Sequence, residues 1–271
     1  MKQDLFQYLK QKRYPGRGIL LGRSPDGENG VIAYFIMGRS ANSRNRVLEE
    51  TNDGARTKAY DESKMEDPSL IIYNAVAKLG DGRTVVSNGD QTDSVRSAAA
   101  AGWTAQQALA ARRFEPDDPN WTPRITGVLS PDGSYMLSII RALDGDPSCC
   151  CRAYFEYENP PAGAGQFICT YQDDGSPLPS FTGEPLYVNL PQTGPQELAE
   201  ALWDSLNEDN RVSVYAAFVN LSTREMKAFI VNGNYLKEAA EKAAAEAESA
   251  ADNASAAADG PAPAAEETVD G

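Results

Sequence analysis

The sequence predicts an α+β fold in which two antiparallel sheets are flanked by a few helices. Short apolar segments typical of strands recur along the chain, and several stand in pairs around the polar turns LGDG (79–82), SPDGS (130–134) and NLSTRE (220–225). Helical patterns are fewer and do not alternate with the strands, as they do in a doubly wound parallel sheet. Antiparallel hairpins are therefore the economical interpretation, and 271 residues are enough to bury one large core or two small ones.

The first elements are a helix and a hairpin. A short amphipathic helix is predicted at residues 4–11, and Pro15 and Gly16 terminate it before the first strand, GRGILLG. The run VIAYFIMG at 31–38 follows the turn SPDGENG and completes the hairpin. Further strands are predicted in SLIIYNAVAKLG, TVVSNG, RITGVLS, SYMLSIIRAL, RAYFEYE, QFICTYQ, PLYVNL, RVSVYAAFVNL and EMKAFIVNGNY.

Three further helices are predicted in TDSVRSAAAAG, TAQQALAARRF and GPQELAEALWDSLN (194–207). Thr92 or Asp93 is a suitable N-cap for the first of them, and Thr193 or Gly194 lies near the cap of the last. These helices do not alternate with the strands along the chain, so they are expected to flank the two sheets.

The composition changes at about residue 235. Residues 236–271 contain 15 alanines and no aromatic residue, and they carry about half of the net charge of −14. The first part can be helical, whereas the part after about Asp252 has too little apolar bulk to offset chain entropy and is expected to be disordered. We therefore predict a folded domain at 1–235 and an acidic, alanine-rich tail at 236–271.

The composition also limits the classes of function. The negative net charge argues against binding to nucleic acid or to an anionic membrane surface. The chain has neither an apolar run long enough to span a bilayer nor the apolar segment of a signal peptide at its start, so a cytoplasmic protein is expected. A homo-oligomer remains open.

The chain contains no histidine, which is the commonest metal ligand and the commonest general base near neutral pH. Its cysteines are Cys149, Cys150, Cys151 and Cys169, and three adjacent cysteines do not form the spaced pairs of a zinc site. No metal or cofactor is therefore expected. Any proton transfer must use Tyr, Glu, Asp, Lys or the backbone.

The arginines are unevenly distributed, because 14 of the 16 precede residue 153. An anionic ligand held by the first half of the chain would account for this distribution, since the planar guanidinium group suits phosphate. Surface solubility accounts for it equally well.

Two clusters of polar residues follow or interrupt apolar strands in this half. The segment GRSANSRNR at 38–46 places Arg39, Arg44 and Arg46 in one loop, which can hold a phosphate or can simply be a solvated end of a strand. In IIYNAV, Tyr73 and Asn74 interrupt an apolar run and must be hydrogen-bonded if the run is buried. A core tyrosine with a satisfied hydroxyl is the alternative to a functional one.

Two more clusters lie between strands and helices. The segment VVSNGDQTD makes a strand end, a tight turn and a helix cap, and structure alone accounts for most of it. In RRFEPDDPNWTPRI, acidic residues bounded by prolines stand near an arginine, and they can be a general base with its partner or a charged surface loop. The polar residues of this last segment are Glu115, Asp117, Asp118, Thr122 and Arg124.

Taken together, four strings resemble the archaeal-type IMP cyclohydrolase family in their order and spacing: GRGILLGRSPDG, IMGRSANSRNR, IIYNAVAKLGDGRTVVSNGDQTD and FEPDDPNWTPRI. The resemblance is close over residues 16–127 and loose as far as about residue 235. It implies a four-layer αββα sandwich of two antiparallel sheets, like that of the N-terminal-nucleophile hydrolases. It does not imply their mechanism, because residue 2 is Lys and removal of Met1 exposes no Ser, Thr or Cys.

The resemblance further implies an IMP cyclohydrolase of purine biosynthesis, which closes the ring of a purine ribonucleotide with loss of water. Two alternatives are a nucleotide-binding or regulatory protein of the same fold, and a hydrolase of linear amides that uses Cys169 or a serine. By position, the resemblance makes Tyr73, Glu115 and Arg124 the candidates for the reacting end of the site. The candidates for substrate binding are Arg39, Ser40, Arg44, Asn45, Asn88 and Gly89.

Overall fold

Two antiparallel sheets stack face to face at the centre of the protein, in a computed structural model that describes residues 1–66 and 68–258. The first sheet has six strands, in the spatial order Leu186–Asn189 (β11), Ala164–Cys169 (β10), Arg17–Arg23 (β1), Asn29–Met37 (β2), Arg211–Asn220 (β12) and Met226–Asn232 (β13). The second has seven, in the order Arg46–Thr51 (β3), Gly54–Ala59 (β4), Asn74–Lys78 (β5), Thr84–Ser87 (β6), Arg124–Leu129 (β7), Tyr135–Leu143 (β8) and Asp146–Tyr157 (β9).

The sheets approach closely because small residues face large ones across the interface. A Cβ atom on Gly127 of β7 would lie 2.9 Å from Leu21 Cδ1 of β1, so a larger residue there would have to displace neighbouring side chains. Leu21 and Ile32 are fully buried in the core between the sheets. The central strands β1 and β2 are buried along nearly their whole length because both of their faces are covered.

Helices cover the outer faces of both sheets. Leu5–Lys10 (α1) and Pro195–Ser205 (α5) pack together, and α5 lies against β12 and β13. Gln91–Ala100 (α3) and Ala105–Ala110 (α4) form a second, smaller core with the outer side of β6, β7 and β8. Among the described residues before 234, the remaining helical segments are Ala41–Arg44 (α2) and a 3₁₀ turn at Glu62–Lys64. The predicted α+β fold, with four layers in the order αββα, is confirmed.

The chain divides into two units, Met1–Gly233 and Asn234–Gly271. A long helix, Gly233–Ala258 (α6), makes up the described part of the second unit. The tail can therefore be helical, as predicted, and the helix extends past Asp252, where regular structure was expected to end. Residues 259–271, for which disorder is predicted, lie outside the described residues.

One hairpin differs from the sequence prediction. Strands β3 and β4 pair residue by residue, from Arg46 opposite Ala59 to Thr51 opposite Gly54, although no strand was predicted between residues 46 and 59. Glu49, Arg56 and Lys58 lie on one face of this hairpin and form salt bridges there, which hides the apolar pattern by which strands are predicted. The turn TNDG was an available signal of this hairpin.

Two boundaries also differ. The segment SLIIYNAVAKLG was predicted as one strand, but β5 begins only at Asn74. The N-cap of α3 is Asp90 rather than Thr92 or Asp93, and Thr92 is buried with its hydroxyl 2.6 Å from that of Ser87. Gly194 caps α5 as predicted. Of the helices in the described ranges, none is both long and apolar enough to cross a membrane.

Candidate active site at one end of the sheet sandwich

One end of the space between the sheets contains a cluster of buried polar side chains. The antiparallel order brings the starts of β1 and β3 and the beginning of β5 to this end. Arg17 opens β1 on the same face as Ile19, which points at Gly127 of the opposite sheet. Tyr34 stands opposite Ile19 on β2 and therefore faces the same space. Polar groups that would be solvated on an isolated strand are thus enclosed between two sheets.

The centre of the cluster is an ion pair between Arg17 and Glu115. Arg17 Nη2 donates hydrogen bonds to both Glu115 carboxylate oxygens, at 3.3 and 3.2 Å. The two residues are 8% and 2% exposed, so neither charge is compensated by bulk water. The backbone holds Glu115 in place, since its N–H donates to the Thr122 carbonyl at 2.9 Å. A buried charge is tolerated only with such a partner.

Two tyrosine hydroxyls meet beside this ion pair. The oxygens of Tyr34 and Tyr73 are 2.7 Å apart, and both side chains are buried. Tyr73 is fixed by Thr57 of β4, whose hydroxyl accepts the Tyr73 N–H at 2.8 Å and whose N–H donates to the Tyr73 carbonyl at 2.9 Å. Arg17 interacts electrostatically with Tyr73. The structure therefore places two of the predicted reacting residues, Tyr73 and Glu115, within electrostatic range of Arg17.

Burial dominates the electrostatics of the carboxylate. Desolvation raises the pKa of Glu115 above its ordinary value, although Arg17 and Arg124 oppose the rise. The pKa of Tyr34 is also raised, by burial and by the neighbouring Tyr73. Burial by itself lowers the pKa of Arg17, but Glu115 and the nearby tyrosines raise it by more. The pKa of Arg17 is therefore raised, and its guanidinium stays charged. Glu115 is thus a group that can exchange a proton closer to neutral pH than an exposed glutamate does.

A third tyrosine joins the cluster to the loop that carries Glu115. The Tyr171 hydroxyl, just after β10, shares a hydrogen bond with the Thr122 hydroxyl. Thr122 is also bound by Asp117, whose carboxylate accepts its N–H at 2.7 Å and its hydroxyl. Tyr171 stacks on Tyr14, with ring centroids 6.0 Å apart. These hydrogen bonds therefore fix the loop that carries Glu115 to the end of β10.

The third predicted reacting residue, Arg124, faces the other side of its sheet. Its Nη1 donates to Gln91 Oε1 at 2.7 Å and pairs with Asp90 at 2.8 Å, and its Nε donates to the Arg113 carbonyl. Arg124 still lowers the pKa of Glu115 electrostatically, as noted above. It therefore acts on the carboxylate through space, while its hydrogen bonds and its ion pair go to the start of α3 and to the segment after α4.

A cleft of about 560 Å³ opens beside Arg124. Phe114 and Pro116, which flank Glu115 in the sequence, both line it, and Phe114 packs edge-on against Trp121. The full lining is Ala111, Arg112, Arg113, Phe114, Pro116, Trp121, Arg124 and Pro147. The loop that carries Glu115 therefore separates the buried cluster from an open cleft rich in arginine.

Asn88 and Gly89, which are predicted to bind substrate, also lie near Arg124. The Asn88 side chain donates to the Pro123 carbonyl at 2.9 Å and accepts from the Ile125 N–H at 2.8 Å, so its amide joins β6 to β7. A Cβ on Gly89 would lie 2.5 Å from Arg124 Nη1. Asn88 therefore fixes the backbone on both sides of Arg124, and Gly89 leaves room for the Arg124 guanidinium, which the sequence did not anticipate.

The predicted phosphate loop at 38–46 lies at the same end of the molecule. Arg39 donates to Asp174 at 2.7 Å and lies 5.0 Å above the Tyr14 ring, and Tyr14 stacks on Tyr171 of the cluster. Arg44 donates to the Gly38 carbonyl at 2.9 Å. Arg39 is partly exposed, so its guanidinium is accessible to an anion.

Two other predicted contacts, Ser40 and Asn45, shape this loop. The Ser40 hydroxyl caps α2 by accepting the Ser43 N–H at 3.1 Å. The Asn45 amide bonds both backbone groups of Asp61, each at 2.8 Å. Their side chains fix the loop that presents Arg39 and Arg44, and direct binding by Ser40 and Asn45 stays a prediction.

The sequence interpretation missed Arg17, Tyr34 and Tyr171. An arginine at the start of the apolar strand GRGILLG was an available signal, because a charge next to a buried run needs a partner. Cys169, which one alternative interpretation made a nucleophile, is fully buried, and burial raises the pKa of its thiol. A thiolate is therefore disfavoured there. In the described ranges, no three of the His, Cys, Asp and Glu side chains are grouped so that they could hold a metal ion.

The fold and this cluster define an αββα protein with a buried carboxylate, tyrosine and arginine site that lacks histidine. The family model for IMP cyclohydrolase-like proteins matches residues 14–257, and the chain belongs to that family.

Relatives named IMP cyclohydrolase are similar over part of the chain. The protein of Halobacterium salinarum strain R1 is 34% identical over 133 residues, which cover 48% of this chain and 63% of the relative. The protein of Methanococcus aeolicus is 31% identical over 127 residues, covering 45% and 61%, and that of Natronomonas pharaonis is 35% identical over 133 residues, covering 47% and 64%. The chain thus spans less than two thirds of the length of these curated relatives.

Proposed function

We propose that this protein is an IMP cyclohydrolase that converts 5-formamidoimidazole-4-carboxamide ribonucleotide to inosine monophosphate in the ring-closing direction. Membership of the family and the names of the relatives support the proposal. The observation that carries it is the buried group formed by the Arg17–Glu115 ion pair and the Tyr34–Tyr73 hydroxyl pair. This group offers a proton acceptor and a hydroxyl donor in a chain without histidine.

The reaction requires little covalent chemistry from the protein. The carboxamide nitrogen attacks the formyl carbon on the same imidazole ring, a C–N bond forms, and the formyl oxygen leaves as water. Nucleophile and electrophile are already joined, so the enzyme must hold a near-attack conformer and stabilise the charge that develops on the formyl oxygen. No covalent intermediate with the protein is needed.

In this proposal Glu115 accepts the amide proton. Burial raises the pKa of Glu115, so that this pKa lies closer to neutral pH than that of an exposed glutamate. The Tyr73 hydroxyl donates to the developing oxyanion, and Tyr34 orients Tyr73 through the 2.7 Å contact between their oxygens. Arg17 keeps the carboxylate in place and limits the rise of its pKa.

Mass spectrometry of the product tests the function directly. Incubation with the formamido ribonucleotide is expected to give a product lighter by one water, with the chromatographic behaviour of inosine monophosphate. Release of formate would identify a hydrolase instead. Binding of the unchanged nucleotide, measured by calorimetry, would identify a non-catalytic nucleotide-binding protein.

We expect Arg39→Ala and Arg44→Ala to weaken nucleotide affinity by about 1.5–3 kcal/mol each, because each removes a charge-assisted bond to phosphate. Calorimetry with the product nucleotide and its nucleoside checks this, since the nucleoside should lose little affinity. Arg56→Ala is a matched control, because Arg56 lies on β4 and pairs with the exposed Glu49. Unchanged nucleotide affinity in both loop variants would show that the phosphate binds elsewhere.

We expect a chain truncated after Asn234 to keep its turnover within a few fold. The candidate site residues all lie in the first unit, Met1–Gly233, and the removed sequence is rich in alanine and acidic residues. Steady-state assays of the truncated and full-length proteins, with circular dichroism as the folding control, give the comparison. Loss of activity in a folded truncated protein would mean that the tail contributes to the site.

A further inference from the structure

Strand β9 forms one edge of the seven-stranded sheet and is unusually long for an edge strand. It runs for 12 residues, and within the described part of the chain its strand partner is β8 alone. None of its side chains is fully buried. One row of its backbone N–H and C=O groups therefore faces away from the sheet without a strand beside it.

Both faces of β9 carry apolar side chains. Ala153, Phe155 and Tyr157 pack partly against the core between the sheets, whereas Cys150 and Tyr154 pack partly against the core beneath α3 and α4. Exposed edge strands usually carry lysine or proline, which blocks further pairing. The one proline of β9 is Pro147, near its start, and the part from Cys149 to Tyr157 carries neither. Its composition is that of a strand with a neighbour on each side.

The charges on β9 favour one neighbour, a second copy of the same strand. Arg152 and Glu156 lie on the face that points towards the helices: Arg152 Nη2 donates to the Arg112 carbonyl at 2.6 Å, and Glu156 accepts from Gln106 of α4. Four residues separate the two charges, so an antiparallel copy centred on Tyr154 places each arginine opposite the partner's glutamate. A register centred on Cys151 instead places Asp146 opposite Glu156, which is repulsive.

The Arg152 side chain also has unused bonding capacity. Its Nε is buried and makes no hydrogen bond to any group that the structure describes. A carboxylate directly opposite on an antiparallel strand lies within reach, because paired Cβ atoms are about 4.5–5.5 Å apart. Because the protein's own atoms already cover this Nε, an ion pair across the interface would use the other N–H groups of the guanidinium.

We propose that two copies of this protein associate through β9 about a two-fold axis at Tyr154, with Arg152 of each copy paired to Glu156 of the other. The interface joins the two seven-stranded sheets into one continuous sheet. Each contact occurs twice, as two-fold symmetry requires, so two ion pairs and a central tyrosine pair specify the register. On the opposite face, Ala153 of each copy lies against Phe155 of the other.

Charge reversal tests this register in the full-length chain. Sedimentation velocity is expected to show a dimer for the parent and a monomer for both Arg152→Glu and Glu156→Arg, because each homodimer would contain two like-charge pairs. An equimolar mixture of the two variants should form a heterodimer, since both pairs across the axis are then again of opposite charge. The double variant Arg152→Glu/Glu156→Arg should dimerise for the same reason.

Lys227→Glu is the matched control, because Lys227 lies on β13, an edge strand of the other sheet. It should leave the parent dimer intact. A monomeric parent would overturn the proposal, as would a mixture of folded single variants that stays monomeric. The ring-closure assay is read separately, so failure of the interface is distinguishable from failure of the proposed function.

Discussion

Glu115→Gln is expected to lower turnover by about 10² to 10⁴, the usual contribution of a general acid or base. The substitution keeps the shape of the side chain and one hydrogen-bond acceptor for Arg17, but it removes the group that accepts the amide proton. Substrate affinity should change little, because the proton moves only in the transition state. Steady-state kinetics with the formamido ribonucleotide at saturation give the comparison, and Glu49→Gln, at an exposed glutamate on β3, is the matched control.

The pH dependence gives a second measurement of the same role. The Glu115 carboxylate must be ionised to accept a proton, and its pKa is raised by burial. The parent rate should therefore fall as the pH decreases through this raised pKa, and Glu115→Gln should lack that limb of the profile. An unchanged acidic limb in the variant would assign the titration to another group.

Tyr73→Phe should reduce turnover to a similar extent. The double variant Glu115→Gln/Tyr73→Phe should reduce turnover by less than the product of the two single effects, because both groups act on one transition state. Tyr34→Phe separates donation from orientation: it retains the Tyr73 hydroxyl but removes its 2.7 Å partner, so its effect should be smaller. Near-parental turnover in folded Glu115→Gln and Tyr73→Phe would leave positioning by arginines and backbone as the whole mechanism.

Arg17→Met is expected to produce the largest loss of stability, about 3–5 kcal/mol in the free energy of unfolding, because it leaves the buried Glu115 without a counter-charge. The cost should depend on pH. Without Arg17 the folded-state pKa of Glu115 rises further, so the loss is small below the ordinary glutamate pKa of about 4.3 and grows as the pH rises towards the folded-state pKa. Urea denaturation at acidic and at mildly alkaline pH measures this difference.

The double variant Arg17→Met/Glu115→Leu provides the control for this result. Replacement of both partners by apolar groups of similar size is often neutral or stabilising, so the double variant should be more stable than Arg17→Met and should lose most of its pH dependence. Equal losses at all pH values, or a double variant no more stable than Arg17→Met, would show that packing rather than charge gives Arg17 its importance. Activity should be lost in both variants.

Local patterns explain which elements could be predicted. The hairpin of β1 and β2, the strands β7, β8 and β12 and the helix α5 have apolar periodicity and turn residues in adjacent sequence, and each was placed close to its observed position. The hairpin of β3 and β4 was missed because charged residues such as Glu49 and Lys58 lie on one face of this pair. Its apolar side is recognisable only when the strands are paired.

By itself, the sequence determined the class of fold, the absence of histidine chemistry and the position of most strands, because these follow from composition and from interactions between near neighbours. It also singled out Tyr73 and Glu115. Only the tertiary structure decided what surrounds them: Arg17 lies 98 residues from Glu115 in sequence, and Tyr34 lies 39 residues from Tyr73. The position of Arg17 at the start of an apolar strand signals that its charge needs a partner, but only the packing of the second sheet excludes water and makes Glu115 that partner. Desolvation and pairing of this kind depend on how the two sheets pack, and no local pattern of residues encodes that.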